Sequence, residues 1–402
     1  MSDETPTNAV KMGTTWLTRV VVSLLHEFDD DGAPLADAEE HRRTRPNRNG
    51  QTYPEGLYAD RASSDADPMG LFDRVENGRE IHSRNFGDFT MEDLLDQGDD
   101  GHGSKKPRLF STHLFGPDLL PKGLFDDTRG NPAEGEREEG QRREGKGRLI
   151  VVVRNLKDAM CSLHRFRGLS ADGWHGNGSG PGSFARYVSP DCPNGYGSAF
   201  EWVAANDVAV QRVGDRRSLV LFYEAMVEDF PGQLRRINDF LGLGDLTESR
   251  AAAIEDACSM KSMRAANMRT GMTINRGGVG NWRSEPISPE KWTAFDRRFE
   301  EVLGDSAIGN MMRRYMDLPL SSTLKKFAGF AGKPTVPQAP DVAMPPWFRK
   351  DTYEKFRTMD VREDDIFLSS GVKMVRVISV MLFVQSSEIA CPPLSTSPSS
   401  LI

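Results

Sequence analysis

Apolar residues recur every three or four positions from Thr14 to Phe28 (TTWLTRVVVSLLHEF), which predicts a buried helix opening just after Gly13. The 148–154 stretch, RLIVVVR, is an unbroken β-branched run bounded by charge, the mark of a strand buried on both faces. Residues 218–223, SLVLFY, form a second such run. Between them, Ala199 to Val213 has helical spacing. Phe230 to Gly242 reads as an amphipathic helix with Pro231 in its first turn and Gly242 at its end. Glu248 to Cys258 and Pro289 to Val302 read as two further helices. Strands alternating with helices predict an α/β layered fold with a parallel sheet.

Polar stretches interrupt this pattern. Residues 29–106 are acidic and rich in Gly, Pro and Asp, which predicts loops with a few short helices. Residues 126–148 are almost wholly Gly, Glu and Arg, and 172–182 are Gly-rich, so both are expected to be mobile insertions. A Pro-rich linker spans 335–346.

Composition narrows the function. The chain has 402 residues, and at about 100–200 residues per domain this allows two domains or one large one with insertions. A net charge of −8 argues against a dedicated nucleic-acid binder but leaves room for a local basic pocket. Cys161, Cys192, Cys258 and Cys391 are scattered without any C-x-x-C pair, so neither a metal site nor a disulfide framework is expected. The acidic start, MSDETP, is unlike a secretory signal. The longest apolar candidate, Val375 to Val384, holds Arg376 and is ten residues long, against roughly 18–20 for a membrane span. These features predict a soluble, cytoplasmic protein with no membrane partner.

Four segments carry candidate chemistry. Lys11-Met12-Gly13-Thr14-Thr15-Trp16 aims an ammonium, hydroxyls and helix N-terminal N–H groups at one point, which suits a phosphate or sulfate. Its spacing is not that of the G-x-x-x-x-G-K-[ST] loop, which disfavours a P-loop kinase. Arg154 stands at the end of the 148–153 strand with Ser162 eight residues on; ligands of open α/β sheets bind at such strand ends. A guanidinium with a hydroxyl makes a good phosphate clamp. Thr112-His113-Leu114 offers an imidazole, and Asn275 to Trp282 joins Arg276 to Gly277, Gly278 and Gly280 in a flap-like run. Taken singly, each is equally an ordinary cap, strand end or loop.

In this order the segments resemble the cytosolic sulfotransferase family. Its pattern runs P-K-S-G-T-T-W, K-T-H-L-P with L-L-P, C-R-N-P-K-D-x-x-x-S, F-Y-E-D-M and R-K-G-x-x-G-D-W. This chain has KMGTTWL at 11–17, STHLFGPDLLP at 111–121, VRNLKDAMCS at 153–162, LFYEAMVED at 221–229 and NRGGVGNW at 275–282. The resemblance implies a central parallel sheet flanked by helices, the P-loop-NTPase-like sulfotransferase fold. It implies sulfuryl transfer from 3′-phosphoadenosine 5′-phosphosulfate (PAPS) to a hydroxyl or amine of a small acceptor such as a phenol, alcohol or amine, with no metal. Lys11, Gly13, Thr14 and Thr15 would hold the 5′-phosphosulfate and Trp16 the adenine. Arg154, Ser162, Arg276 and Gly277 would hold the 3′-phosphate, and Tyr223 would contact the nucleotide. Cys258 and Met260 fall where the family has adenine-contacting residues. His113 would be the general base, and Lys11 would neutralise charge on the leaving group.

Departures accompany the match. The loop serine is Met12, the lysine two before the histidine is Ser111, and the arginine of R-K-G is Asn275. Fewer cations near a multiply charged donor imply weaker binding or slower turnover, so an impaired or inactive nucleotide-binding relative is the rival reading. The place of the family strand before the loop is taken by Glu4 to Val10, a poor core strand. Near the other end, 347–374 resembles the family's N-terminal arm and first strand, and finishes in Val372-Lys373-Met374 as Val10-Lys11-Met12 does. The chain thus reads as a slice of a tandem array or a misjoined gene, with Ile366 to Ser369 expected to fill the empty central strand position as in a circular permutant. The resulting division is a domain at 1–320 with insertions near 29–104, 126–148 and 172–182, a linker at 321–346, the arm at 347–374, and a tail at 375–402.

Overall fold

In the computed structural model, the described residues are 14–36, 74–76, 79–81, 90–96, 107–125, 145–166, 174, 184–188, 198–263, 278–318 and 350–370. The central sheet contains β1 (Leu109–Thr112), β2 (Arg148–Val153), β3 (Ser218–Phe222) and β4 (Ile366–Ser370). Across the sheet the order is β1-β4-β2-β3, and every pairing is parallel. The helices used below are α1 (Thr14–His26), α2 (Leu156–Phe166), α3 (Ala199–Val213), α4 (Tyr223–Glu228) and α5 (Phe230–Leu241). They are followed by α6 (Glu248–Cys258), α7 (Pro289–Leu303), α8 (Ala307–Met316) and α9 (Lys350–Thr358).

Strand side chains alternate between faces, and the sheet divides its apolar residues accordingly. Ile150, Val152, Leu219, Leu221, Ile366 and Leu368 pack with Leu17, Val21 and Leu24 of α1, Leu234 and Ile237 of α5 and Ile254 of α6. On the other face Leu149, Val151, Val153, Phe222 and Phe367 pack with α2, α3, α7, α8 and α9. Both faces are covered, which is why the strands read as continuous apolar runs rather than alternating ones. The result is a three-layer α/β/α fold, a parallel sheet between helices.

Local signals set the helix ends. Ser198 Oγ accepts from the Phe200 N–H at 3.2 Å at the start of α3, and Asp229 Oδ1 accepts from Gly232 N–H at 3.0 Å at the start of α5. Each satisfies a first-turn N–H group that has no partner within the helix.

The strand expected from the far end of the chain occupies the sheet centre. Ile366–Ser370 lies between β1 and β2, paired to Leu109–Thr112 on one side and Arg148–Val152 on the other. A buried ion pair docks it: Arg108 donates through Nε to Asp365 Oδ1 at 2.7 Å and through Nη2 to Oδ2 at 2.6 Å. Phe367 stacks on Phe110 at 5.0 Å, and Phe356 of α9 closes over both. Gly147, at φ +78°, turns the chain into β2 so tightly that a Cβ there would lie 3.0–3.1 Å from Val361, Asp365 and Phe367. The arm fits against that glycine.

Three expectations need correction. Trp174, inside the 172–182 stretch expected to be mobile, is fully buried and stacks on His164 at 3.6 Å, with Nε1 donating to Glu285 at 3.1 Å. One indole supplies the apolar area that the surrounding glycines lack. The 29–106 region holds one of its expected short helices, Met91–Asp96, whose Met91 and Leu94 enter the core, and departs from expectation in an antiparallel strand pair, Arg74–Glu76 with Arg79–Ile81. The Glu4 to Val10 stretch, residues 126–144 of the insertion expected at 126–148, the 335–346 linker and the 375–402 tail lie outside the described residues. Residues 145–148 of that insertion instead belong to the fold, with Gly145 and Gly147 buried and Arg148 opening β2.

Candidate active site

Parallel strands bring their carboxyl ends to one edge of the sheet. His113 follows β1 directly, Arg154 follows β2, Tyr223 follows β3, and Ser370 ends β4. With neighbouring strands about 4.8 Å apart, His113 and Arg154 flank the end of β4 at roughly 10 Å from each other along this edge.

His113 is buried, and its Nδ1 lies 2.9 Å from the carbonyl oxygen of Ser370. A carbonyl only accepts, so Nδ1 carries a proton and donates it. In its neutral state such a ring keeps its lone pair on Nε2, the form a general base requires. Trp202 Nε1 donates to the His113 carbonyl at 3.3 Å and holds the backbone from the α3 side. Ser111, where the resemblance has a lysine, is fully buried, and its hydroxyl lies 3.1 Å from that of Thr18 in α1.

A continuous line of aromatic and cationic groups joins α1 to the end of β2. Trp16 stacks on Phe230 at 5.6 Å and meets Tyr223 edge-on at 5.6 Å. The Arg154 guanidinium lies 4.5 Å from the Tyr223 ring centroid, a cation–π contact. Trp16 Nε1 is buried with no acceptor among the described residues. Burial pushes the Tyr223 phenol above its ordinary range, and the nearby Arg154 charge opposes that shift.

The glycine-rich segment is pinned against the same strand end. Arg154 Nη2 donates to the Gly278 carbonyl at 3.0 Å. Asp158, in the first turn of α2, accepts from Gly280 N–H at 2.6 Å and Trp282 N–H at 2.9 Å. Gly278 and Gly280 have φ of +95° and +79°, a region open to glycine at little cost. Lys157 Nζ lies 4.5 Å from the Trp282 ring centroid and pairs with Asp296 at 2.7 Å.

Behind this corner sits Glu224, fully buried, its Oε1 accepting from Asn155 N–H at 2.9 Å. Its Oε2 has no hydrogen-bond partner among the described residues. Desolvation pushes the carboxyl up to about 7, with the Asn155 N–H and the Arg154 charge pulling the other way. Asn155 also caps α2 through Oδ1 and donates to the Tyr315 carbonyl at 2.6 Å. Sequence reasoning gave no role to Glu224, Asn155 or Asp158, although the first lies in the F-Y-E motif and the others in the R-N-x-K-D motif.

The other expected site residues distribute as follows. Ser162 lies on α2 and is buried. Cys258 does not join the Trp16–Tyr223–Arg154 line: its thiol is buried in the core 3.9 Å from Ser23 Oγ, about two turns along α1 from Trp16, and burial pushes it up to about 12. Met260 is half-buried beyond the end of α6. Thr14 and Thr15 open α1. Lys11, Gly13, Arg276 and Gly277 lie outside the described residues.

Among the described residues no group of three or more His, Cys, Asp and Glu could hold a metal ion, and no helix is long and apolar enough to cross a membrane.

The class defined by this sheet and its row of strand ends is a three-layer α/β protein with a parallel sheet. Residues 141–307 match the family described as "Sulfotransferase domain". Among curated proteins, the chain is 23% identical over 188 residues to Sulfotransferase 6B1 of Danio rerio, covering 44% of this chain and 53% of that protein. It is 28% identical over 213 residues to Sulfotransferase 2A1 of Rattus norvegicus, covering 50% of this chain and 65% of the relative. Over residues 141–307 the chain is thus similar to the sulfotransferase domain, in line with the sequence resemblance. It spans just over half to about two thirds of the length of these curated relatives.

Among solved structures, it resembles mouse sulfotransferase SULT7A1 complexed with PAP at 23% identity and a TM-score of 0.35, covering 42% of this chain and 63% of that one. It also resembles retinol dehydratase in complex with androsterone and inactive cofactor PAP at 18% identity and a TM-score of 0.41, covering 73% and 78%. The fold assignment rests on the sheet and the family match rather than on those superpositions.

Proposed function

We propose that the chain transfers a sulfuryl group from PAPS to a hydroxyl or amine of a small acceptor. The observation that carries this reading is the common edge on which His113, Tyr223 and Arg154 each follow a parallel strand, with Trp16 against Tyr223. Arg154 and Ser162 would take the 3′-phosphate, and Trp16 and Tyr223 the adenine side. The unpartnered Trp16 Nε1 offers a donor to a nucleotide acceptor atom. Lys11, Gly13, Thr14 and Thr15 would take the phosphosulfate, and Arg276 with Gly277 would close on the 3′-phosphate, as the family motifs imply.

In the proposed reaction, the acceptor oxygen or nitrogen attacks sulfur while His113 Nε2 takes its proton. The new bond to sulfur forms as the bond from sulfur to the phosphate oxygen breaks. The leaving group is adenosine 3′,5′-bisphosphate, whose new charge Lys11 would neutralise. Catalysis of this kind is mostly positioning and charge stabilisation. No metal ion is part of this scheme. The arm at 347–374 belongs to the same domain in this reading, because its strand lies beside the proposed base.

Two absent cations favour a second reading. Ser111 is tied to Thr18, and Asn275 replaces an arginine, so the chain would bind the nucleotide without turning it over. Calorimetric titration with adenosine 3′,5′-bisphosphate tests what both readings share. Binding is expected, weakened at least about tenfold, or 1.4 kcal/mol, in Arg154→Ala. A wild-type protein that binds none overturns both.

A further inference from the structure

The corner between β2 and α2 holds Gly278, Gly280 and Trp282 with side chains only four residues apart. Asp158 accepts from two alternate backbone N–H groups, and Arg154 donates to the carbonyl of Gly278, two residues before the first of them. The guanidinium of Arg154 is therefore aimed by three things: the Tyr223 face at 4.5 Å, the Gly278 carbonyl at 3.0 Å, and the Asp158 carboxylate at 3.9 Å. Two of these depend on Asp158, one directly and one through the segment it grips.

Asp158 is itself 1% exposed, so a ligand phosphate does not reach it in this arrangement. Hydrogen bonds to a buried carboxylate are stronger than neutral ones, and two of them on alternate residues fix both the position and the direction of the strap. Without that grip the Gly278 carbonyl loses its place, and Arg154 loses the acceptor that orients it.

We propose that Asp158 is a positioning residue for nucleotide binding: it clamps Gly280 and Trp282 to α2 and, through Gly278, aims Arg154 across the strand ends. This rests on the adenylate reading above. It goes beyond that reading in giving the site's affinity to a residue that touches no ligand.

The test compares Asp158→Asn with wild type, using adenosine 3′,5′-bisphosphate as the probe. The amide nearly matches the carboxylate in shape but removes its charge and sets an NH2 group against one of the two N–H donors. The inference expects affinity to fall at least tenfold. It expects the donor KM to rise by a similar factor, with kcat at saturating donor within about twofold of wild type, if the chain turns over. Hydrogen exchange should rise in the 278–284 peptide and stay unchanged in β2 and β3. A general folding defect would raise exchange throughout and lower kcat instead. Asp158→Glu keeps the charge and is expected to bind with intermediate affinity, and it serves alone should Asp158→Asn not fold. Wild-type affinity in both variants overturns the inference while leaving the adenylate reading intact. A wild-type protein that does not bind the nucleotide overturns that reading and this inference together.

Discussion

His113 and Ser370 are 257 positions apart in the chain, yet the imidazole Nδ1 of one lies 2.9 Å from the carbonyl oxygen of the other. The contact forms because β4 is inserted beside β1, with Thr112 in register with Ser369. The group that orients the proposed base is therefore a backbone atom of the arm.

This relationship predicts the tautomer. Nitrogen NMR of histidine-labelled protein should show His113 protonated at Nδ1 and bare at Nε2 when neutral. A ring protonated at Nε2 alone would contradict both the hydrogen bond and the assignment of Nε2 as the base.

The arm's docking should depend on its buried ion pair. Arg108 and Asp365 are both nearly inaccessible, and Arg108 further donates to the carbonyls of Leu95 and Asp360 at 3.0 and 2.9 Å. Removing one partner of a buried pair costs about 3–5 kcal/mol when the other charge is left alone. Asp365 keeps the Arg362 N–H at 2.8 Å and the Arg362 guanidinium at 3.5 Å, which sets the cost at the low end of that range. Arg108→Ala is expected to lose that much in denaturant unfolding and to raise hydrogen exchange first in 350–370. A loss under about 1 kcal/mol would mean that the arm is held by its aromatic contacts instead.

Glu224 predicts a pH effect of definite sign. Its carboxyl is pushed up to about 7 in the folded protein, from an ordinary value near 4.5. Between those values the folded state keeps a proton that the unfolded state releases. Stability is thus fully present at low pH and falls as pH rises through about 7, by about 3 kcal/mol at most. Glu224→Gln keeps the acceptor for the Asn155 N–H and cannot ionise. Denaturation at about pH 5 and about pH 8 should show wild type losing more stability than the glutamine variant. Parallel profiles would place the carboxyl at an ordinary value.

Much of the layered fold was legible in the residues. The runs at 148–153 and 218–222 are apolar on both faces because helices cover both, and α3 and α6 have the bounds that their spacing implied. The arm was legible because Ile366 to Ser369 repeats a strand-then-loop pattern whose usual place near the N-terminus is polar. β1 was not legible as a strand, because four residues are too few to establish a period. Trp174 hid among glycines, where composition outweighs one large ring. At the site, side chains that follow strands could be read from motifs, and His113, Tyr223 and Arg154 were. The Ser370 carbonyl could not, since a backbone oxygen leaves no mark on residue identity. Asp158 and Glu224 act on backbone N–H groups from distant segments, a relation that appears only once the strands are in order.

Sulfuryl transfer itself is the most direct measurement: labelled sulfate from PAPS to a panel of phenols, alcohols and amines, with wild type beside His113→Ala. Transfer by wild type is expected, reduced about 10²–10⁴-fold in the alanine variant, the usual contribution of a positioned base. Turnover that survives the change would remove His113 as the base, and nucleotide binding with no transfer to any acceptor would leave a binding protein in place of an enzyme.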